Sequence, residues 1–278
     1  MLKGKNIDEL YIALSKRLLK NGEVVLPRGM KTYELLDTNL ILTDPTKSFL
    51  TLRSRNLSLS YANGELVWYY TGNNKLSYMQ HYSKKMKEFS DDGVTLSGAY
   101  GPKIKKSLPK ILKLFKKDPY TRRAVISLFD NNQNYLNSKD VPCTITLHFL
   151  IRNNKLDLFV NMRSNDFYLG LPYDIYSFSM LQVLVALELG LMPGNYHHHV
   201  DSLHFYERDK SKVLKISNDH ILENNSKQWK QDDFIKNIDF MVDVESKIRE
   251  GKNFSIPESI RKSSYCIEVI KSWENRAS

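Results

Sequence analysis

Four short stretches hold the side chains that could do chemistry. "DPYTRRAV" sets Arg122 and Arg123 side by side ahead of an apolar run. "VPCTIT" puts Cys143 at the entrance to a strand-like segment. "NMRSNDFYLGLPYD" gathers Arg163, Ser164, Asn165, Asp166 and Asp174 around Gly170. "DSLHFY" spaces His204 and Tyr206 two residues apart, on one face of an extended chain. Each has an ordinary reading when taken alone. An arginine pair is usually surface charge, a strand cysteine is usually a small buried hydrophobe, and His-x-Tyr in a strand is usually packing. Asp174 stands in the apolar and aromatic stretch "LGLPYDIYSF". Such a carboxylate is costly to bury unpaired, and its ordinary reading is a solvent-facing or helix-capping acid after a proline.

The elements that must position these groups follow from periodicity. "CTITLHFLIR" alternates Cys143, Ile145, Leu147, Phe149 and Ile151 on one face, and "KLDLFVNMR" alternates Leu156, Leu158, Val160 and Met162. Two period-2 runs joined by "NN" predict an antiparallel hairpin. "PYDIYSFSMLQVLVALELG" predicts a long buried helix, and "YHHHVDSLHFY" another strand. Helices are predicted over "NIDELYIALSKRLLKNG", capped by Gly22, over "NGELVWYYTGN", closed by Gly72, and over "SLPKILKLFKKD". "AVISLFD" reads as a strand, and "IPESIRKSSYCIEVIKSWENRAS" as helix with a frayed end. Mixed strands and helices imply an α+β fold, a mixed β-sheet covered by helices. With no linker, repeat or low-complexity block, residues 1–278 read as a single domain.

Composition narrows the class. The chain has 278 residues, 41% of them hydrophobic, and no apolar run long enough to cross a bilayer. Two cysteines, Cys143 and Cys266, are too few for a disulfide framework, and their spacing does not suggest zinc. A cytoplasmic protein without metal is expected. The triple His197–His199 fits this, because its side chains alternate faces in a strand; a place facing a dimer interface is one reading. Cys266 reads as packing. A formal charge of +10 implies an anionic partner or a solvated lysine-rich surface. A phosphate-bearing small molecule would need only a few well-placed arginines.

Taken in order, these motifs resemble the thymidylate synthase family. "PRG", "GELVWYYTGN", "LSGAYG", "DPYTRR", "PC", "MRSNDFYLGLPYD" and "HFY" carry the resemblance, from about Arg28 to Tyr206. It implies a thymidylate synthase-like fold with sheets packing at a homodimer interface. It also implies a pyrimidine nucleoside monophosphate as substrate and 5,10-methylenetetrahydrofolate as co-substrate. Cys143 matches the nucleophile that attacks pyrimidine C6, as a thiolate favoured by nearby guanidinium groups. Arg28, Arg163 and Ser164 match the 5′-phosphate site, which Arg122 and Arg123 would reach from the other subunit. His204 and Tyr206 match residues bonding the sugar 3′-hydroxyl. Glu65 matches a glutamate organising water and proton transfer, Tyr100 lies near the nucleophile in the family, and Asn165 belongs to the nucleotide-binding segment. Asp166, Gly170 and Trp68 are assigned to the folate.

Departures from the synthase pattern point to a different base. Where synthases have an asparagine reading uracil, this chain has Asp174, and an ionised carboxylate can only accept. It would oppose O4 of uracil but accept from the 4-amino group of cytosine. Thr144 replaces the histidine that usually follows the nucleophile, near the same exocyclic group. Cys-Thr, the aspartate and "NMRSND" are together similar to the deoxycytidylate hydroxymethylases of the family. The paired tryptophans before "LGPVYG" are absent, and the end "SWENRAS" is too polar for an apolar closing tail. Both changes favour water addition over hydride transfer. The rival readings are a thymidylate synthase, a deoxyuridylate hydroxymethylase, or a non-catalytic nucleotide- or RNA-binding protein on the same fold. Strong salt dependence would mark the last.

Overall fold

The computed structural model describes residues 1–129, 137–221 and 229–277. Within them the strands are β1 (Leu2–Gly4), β2 (Glu23–Val25), β3 (Thr32–Leu42), β4 (Val125–Ser127), β5 (Thr144–Arg152), β6 (Lys155–Met162), β7 (Asn165–Asp166) and β8 (Met192–Tyr206). The helices are α1 (Ile7–Asn21), α2 (Leu59–Thr71), α3 (Leu76–Tyr82), α4 (Gly101–Lys117), α5 (Leu171–Glu188), α6 (Lys210–Ser217), α7 (Asp232–Lys236), α8 (Ile238–Arg249), α9 (Glu258–Arg261) and α10 (Ser264–Ala277). They group into two compact units. The first holds Met1–Leu57, Leu114–Phe129 and residues 143–221; the second holds Ser58–Lys113 and residues 137–142 and 229–277. No helix among the described residues is long and apolar enough to cross a membrane.

The first unit is built on one mixed sheet, in the order β1-β3-β8-β6-β5-β4, with β2 added to β3 and β7 to β8. The predicted hairpin is β5–β6, paired from Thr144↔Met162 to Arg152↔Lys155. Its turn residues Asn153 and Asn154 both take positive φ, 51° and 57°, the twist that suits a two-residue hairpin loop and that asparagine tolerates. Cross-strand rows show why alternation builds the core. Leu40, His198, Val160, Leu147 and Ile126 line up across five strands and are all buried. The next row, Ile41, His197, Phe159, His148 and Val125, lies on the opposite face and is only half-buried or exposed. A parallel β6–β8 pair needs a crossover, and α5 supplies it. That helix is apolar all round and buried on most of its surface, as the sequence predicts.

Helix α1 begins at Asn6, whose side chain accepts from the Glu9 N–H at 2.9 Å, and ends at Gly22. Gly22 is not left-handed, its φ being −66°. Glycine is needed there for another reason: a Cβ would overlap the Leu18 carbonyl oxygen that accepts the Gly22 N–H. "AVISLFD" contributes the three residues of β4, and its last residue, Asp130, lies outside the described residues.

The second unit is helical. Helix α2 starts at Leu59, capped by Ser58, earlier than the predicted Asn63, and Gly72 closes its end as expected, in the left-handed region with φ 72°. Gly64 has no room for a side chain, because a Cβ would overlap the Tyr82 ring. That ring is held by a hydrogen bond from its hydroxyl to Glu245 at 2.7 Å. Helix α4 starts at Gly101, earlier than the predicted Ser107, since its buried series already begins at Ile104 and continues to Ile111. In α10, Trp273 is buried and donates from Nε1 to the Ser60 carbonyl at 3.1 Å. Cys266 is also buried there, and burial pushes its thiol up to about 11.

Candidate active site

In the first unit the hairpin brings two of the predicted chemical groups together. Cys143 immediately precedes β5 and Arg163 immediately follows β6, so antiparallel pairing sets them side by side. The Arg163 N–H donates to the Cys143 carbonyl at 2.9 Å. Nη2 of Arg163 lies 3.8 Å from Cys143 Sγ. The sulfur is half-buried and not in a disulfide. A cation at that distance favours the thiolate, the nucleophilic form of cysteine. Thr144, next in the chain, is buried.

Asp174 answers the question its apolar surroundings raise. It sits in the first turn of α5 and is half-buried. Asn165 Nδ2 donates to its Oδ2 at 2.7 Å. Burial is the larger influence and pushes the carboxyl up to about 7, while the Asn165 hydrogen bond works against it. Gly170 makes the approach feasible: a Cβ there would stand 3.2 Å from Asp174 Oδ2. Asn165 itself is buried, and its second close acceptor is the Met162 sulfur at 3.0 Å.

Asp166 follows in β7. Its Oδ1 accepts the N–H groups of Tyr168 and Leu169, both at 2.8 Å. Its Oδ2 is buried with no hydrogen-bond partner among the described residues. Burial raises this carboxyl, against the two backbone bonds and the nearby His204. A buried carboxylate oxygen left without a donor is a place for a ligand N–H, so the donor set here fits an amino-bearing ring such as a pterin. Parallel pairing of β7 with β8 puts Asp166 beside His204. His204 and Tyr206 are half-buried, with their rings edge to face at 5.5 Å. Ser164 is half-buried between Arg163 and Asn165.

The remaining arginines are at the surface. Arg28 is exposed and left-handed, with φ 50°, in the short turn Pro27–Gly29. Arg122 and Arg123 are exposed just before β4. Glu65, Trp68 and Tyr100 belong to the second unit. Glu65 is half-buried in α2 and receives the Tyr61 hydroxyl at 3.5 Å. Trp68, one turn on, is buried, and its Nε1 has no acceptor among the described residues. Tyr100 is half-buried at the head of α4, with its ring 5.5 Å from that of Tyr69.

The triple histidine divides as its strand position requires. His198 is buried, bonded to the Tyr196 hydroxyl at 2.8 Å, and burial lowers it to about 3, so it is neutral. His197 stacks on Phe159 with ring centroids 4.1 Å apart, and His199 bonds Asn39 and Asp201. Among the described residues no group of three or more potential ligands is arranged to hold a metal ion. One contributor had no sequence signal. Arg55 donates to the Tyr168 carbonyl at 2.9 Å and lies over the Tyr168 ring, fixing the loop that follows Asp166. Nothing in "LRSRN" marks that distant contact.

Comparison with known proteins agrees with this geometry. The family model described as thymidylate synthase matches residues 9–241. The deoxyuridylate hydroxymethyltransferase of Bacillus phage SP01 is 32% identical over 226 residues, which is 74% of this chain and 58% of that protein. That of Delftia phage PhiW-14 is 28% identical over 222 residues, 74% of this chain and 62% of that protein. The thymidylate synthase of Clostridium beijerinckii is 28% identical over 244 residues, 85% and 91% of the two chains. The chain thus spans about three fifths of the two phage proteins and most of the bacterial one. A family match over most of the chain, on a sheet that delivers a cysteine to an arginine, makes this protein a member of the thymidylate synthase family.

Proposed function

We propose that the protein hydroxymethylates C5 of a cytosine nucleotide, dCMP, with 5,10-methylenetetrahydrofolate as the one-carbon donor. The observation that supports the reading is Arg163 Nη2 at 3.8 Å from Cys143 Sγ, a guanidinium beside a thiol. Pyrimidine C5 is too weak a nucleophile to take up a one-carbon unit unaided. Attack of the Cys143 thiolate on C6 makes C5 enamine-like, and expulsion of the thiolate restores the ring after transfer. Arg28, Arg163 and Ser164 bind the 5′-phosphate, and His204 and Tyr206 hold the sugar hydroxyl. Glu65 and Tyr100 handle protons and water near the base. Asp166, Gly170 and Trp68 receive the folate, which supplies carbon at the formaldehyde oxidation level. C5 takes up that carbon and loses its proton, tetrahydrofolate leaves from it to give an exocyclic methylene, and water adds to the methylene to give the hydroxymethyl group before the thiolate is expelled.

Asp174 carries the choice of base. A carboxyl can accept from the 4-amino group of cytosine and, when protonated, donate to N3. Sites that read hydrogen-bond polarity discriminate strongly, because the wrong base leaves buried groups unpaired. The second reading is hydroxymethylation of dUMP, the substrate named for the phage relatives. One point favours it: burial pushes the Asp174 carboxyl up to about 7, and in its protonated form it can accept from N3–H and donate to O4.

The functional unit in this proposal is a cytoplasmic homodimer. The half-buried row Ile41, His197, Phe159, His148 and Val125 gives the first unit an apolar and aromatic face suited to a second copy. Arg122 and Arg123, exposed beside that row, reach the partner's phosphate site.

The test is incubation of the purified protein with methylenetetrahydrofolate and dCMP, CMP or dUMP separately. Mass spectrometry identifies the nucleotide and absorbance reports dihydrofolate. Hydroxymethyl-dCMP without dihydrofolate is expected. Thymidylate with dihydrofolate would make the protein a synthase and remove the role given to Asp174.

A further inference from the structure

Asn165 is placed to act on Asp174. Its side chain is 3% exposed. It lies in β7, where it pairs with Leu203 of β8. The bond from its Nδ2 to Asp174 Oδ2 is 2.7 Å long, and no other hydrogen bond reaches that carboxyl among the described residues. Its Oδ1 is buried with no hydrogen-bond partner among the described residues.

Two consequences follow. A carboxyl turns freely about its terminal torsion, which is broad and two-fold. One donor on Oδ2 fixes its plane and leaves Oδ1 as the oxygen available to a substrate. Second, an amide has a donor end and an acceptor end. Nδ2 serves the carboxylate, and after a half-turn Oδ1 accepts from the carboxylic acid. Asparagine therefore keeps Asp174 bonded in both protonation states, whereas an ammonium, which only donates, would match the carboxylate alone. The other groups facing Asp174 do not duplicate this. Tyr196 approaches from β8 as an un-ionised phenol, and Gly170 offers only space.

We propose that Asn165 is a positioning residue for Asp174, deciding which carboxyl oxygen meets the pyrimidine and how readily that carboxyl holds its proton. The proposal rests on Asp174 reading the base. It goes further by making the reader a two-residue unit spread over β7 and α5.

The test is Asn165→Leu, which keeps the branched side chain of four heavy atoms and removes the donor. The rate of Cys143 alkylation serves as a control that the site is intact. With the donor gone, the ionisation of Asp174 should move to higher pH by about one unit in the kcat/KM profile. The ratio of dCMP to dUMP turnover should change at least tenfold, and Asn165→Ser, a shorter donor, should recover part of both effects. In an Asp174→Asn background the same replacement should leave the profile unmoved. A wild-type profile and base ratio in Asn165→Leu would overturn the proposal. If Asn165→Leu does not fold, the comparison of Asn165→Ser with Asn165→Ala decides it: equal profiles in the two variants would overturn it. The pH shift is readable on whichever nucleotide the wild type uses. An enzyme that proves to act on dUMP therefore defeats the cytosine reading without touching this one.

Discussion

Replacing Asp174 by asparagine changes one group and two properties. The first is stability. Burial raises the carboxyl from its ordinary 3.8 to about 7, so the folded chain holds this proton more tightly than the unfolded chain does. Stability contributed by the site therefore falls as pH climbs from about 4 to about 7 and is constant above that. At roughly 1.4 kcal/mol per tenfold change in proton affinity, the penalty above pH 7 is at most about 4 kcal/mol. Asp174→Asn does not titrate, so it should gain on the wild type in denaturant midpoint at pH 8 and show almost no gain at pH 4. Equal differences at the two pH values would mean that the carboxyl is not buried as described. The second property is recognition. An amide donates and accepts in the sense that uracil needs, so the variant should lose dCMP turnover and admit dUMP. Unchanged base preference would leave Asp174 as a helix-terminus acid, the ordinary reading of its sequence context.

At the scale of elements, the legible parts are those whose signal is local. The hairpin β5–β6 was readable because alternation and the Asn153-Asn154 turn sit within twenty residues, and the Cys143–Arg163 pairing comes with it. The apolar run of α5 and the glycine end of α2 were equally plain. Strand β3 was not. Its alternation is interrupted at Asp37, which takes φ 50°, and exposed Leu36 breaks the pattern of burial. Only pairing with β8, more than 150 residues away, makes it a central strand. The site divides in the same way. Residue types within one motif were visible, whereas the Asn165–Asp174 bond crosses a turn and Arg55 acts over a long loop. Gly64 belongs to the second class: its place beside Glu65 in "GELVWYY" suggests chemistry, but its neighbour is the Tyr82 ring. Gly64→Ala should displace that ring from α2 and cost about 1–3 kcal/mol. Thermal melting would show it, and an unshifted midpoint would mean that α2 and α3 can separate without loss.

The whole molecule carries a net charge of +10. Helix α4 alone carries Lys103, Lys105, Lys106, Lys110, Lys113, Lys116 and Lys117 with no acid, whereas the phosphate reading rests on a few arginines. The arginines make the stronger statement about assembly, because Arg122 and Arg123 are exposed beside a sheet face with aromatic groups on it. If each active site borrows them from a second copy, no single chain is complete. Two damaged proteins could then mend each other. Cys143→Ser lacks the nucleophile, and a double Arg122→Ala, Arg123→Ala variant lacks the borrowed cations, so each alone should be nearly inactive. Unfolded together and refolded as a mixture, half of the dimers would be mixed. One site in each mixed dimer would hold an intact cysteine and intact arginines, giving roughly a quarter of wild-type activity. Recovery should fail when the same proteins are mixed without subunit exchange. Absence of recovery after exchange, with dimers demonstrated by sedimentation, would put the arginines in their own subunit's site or outside it altogether.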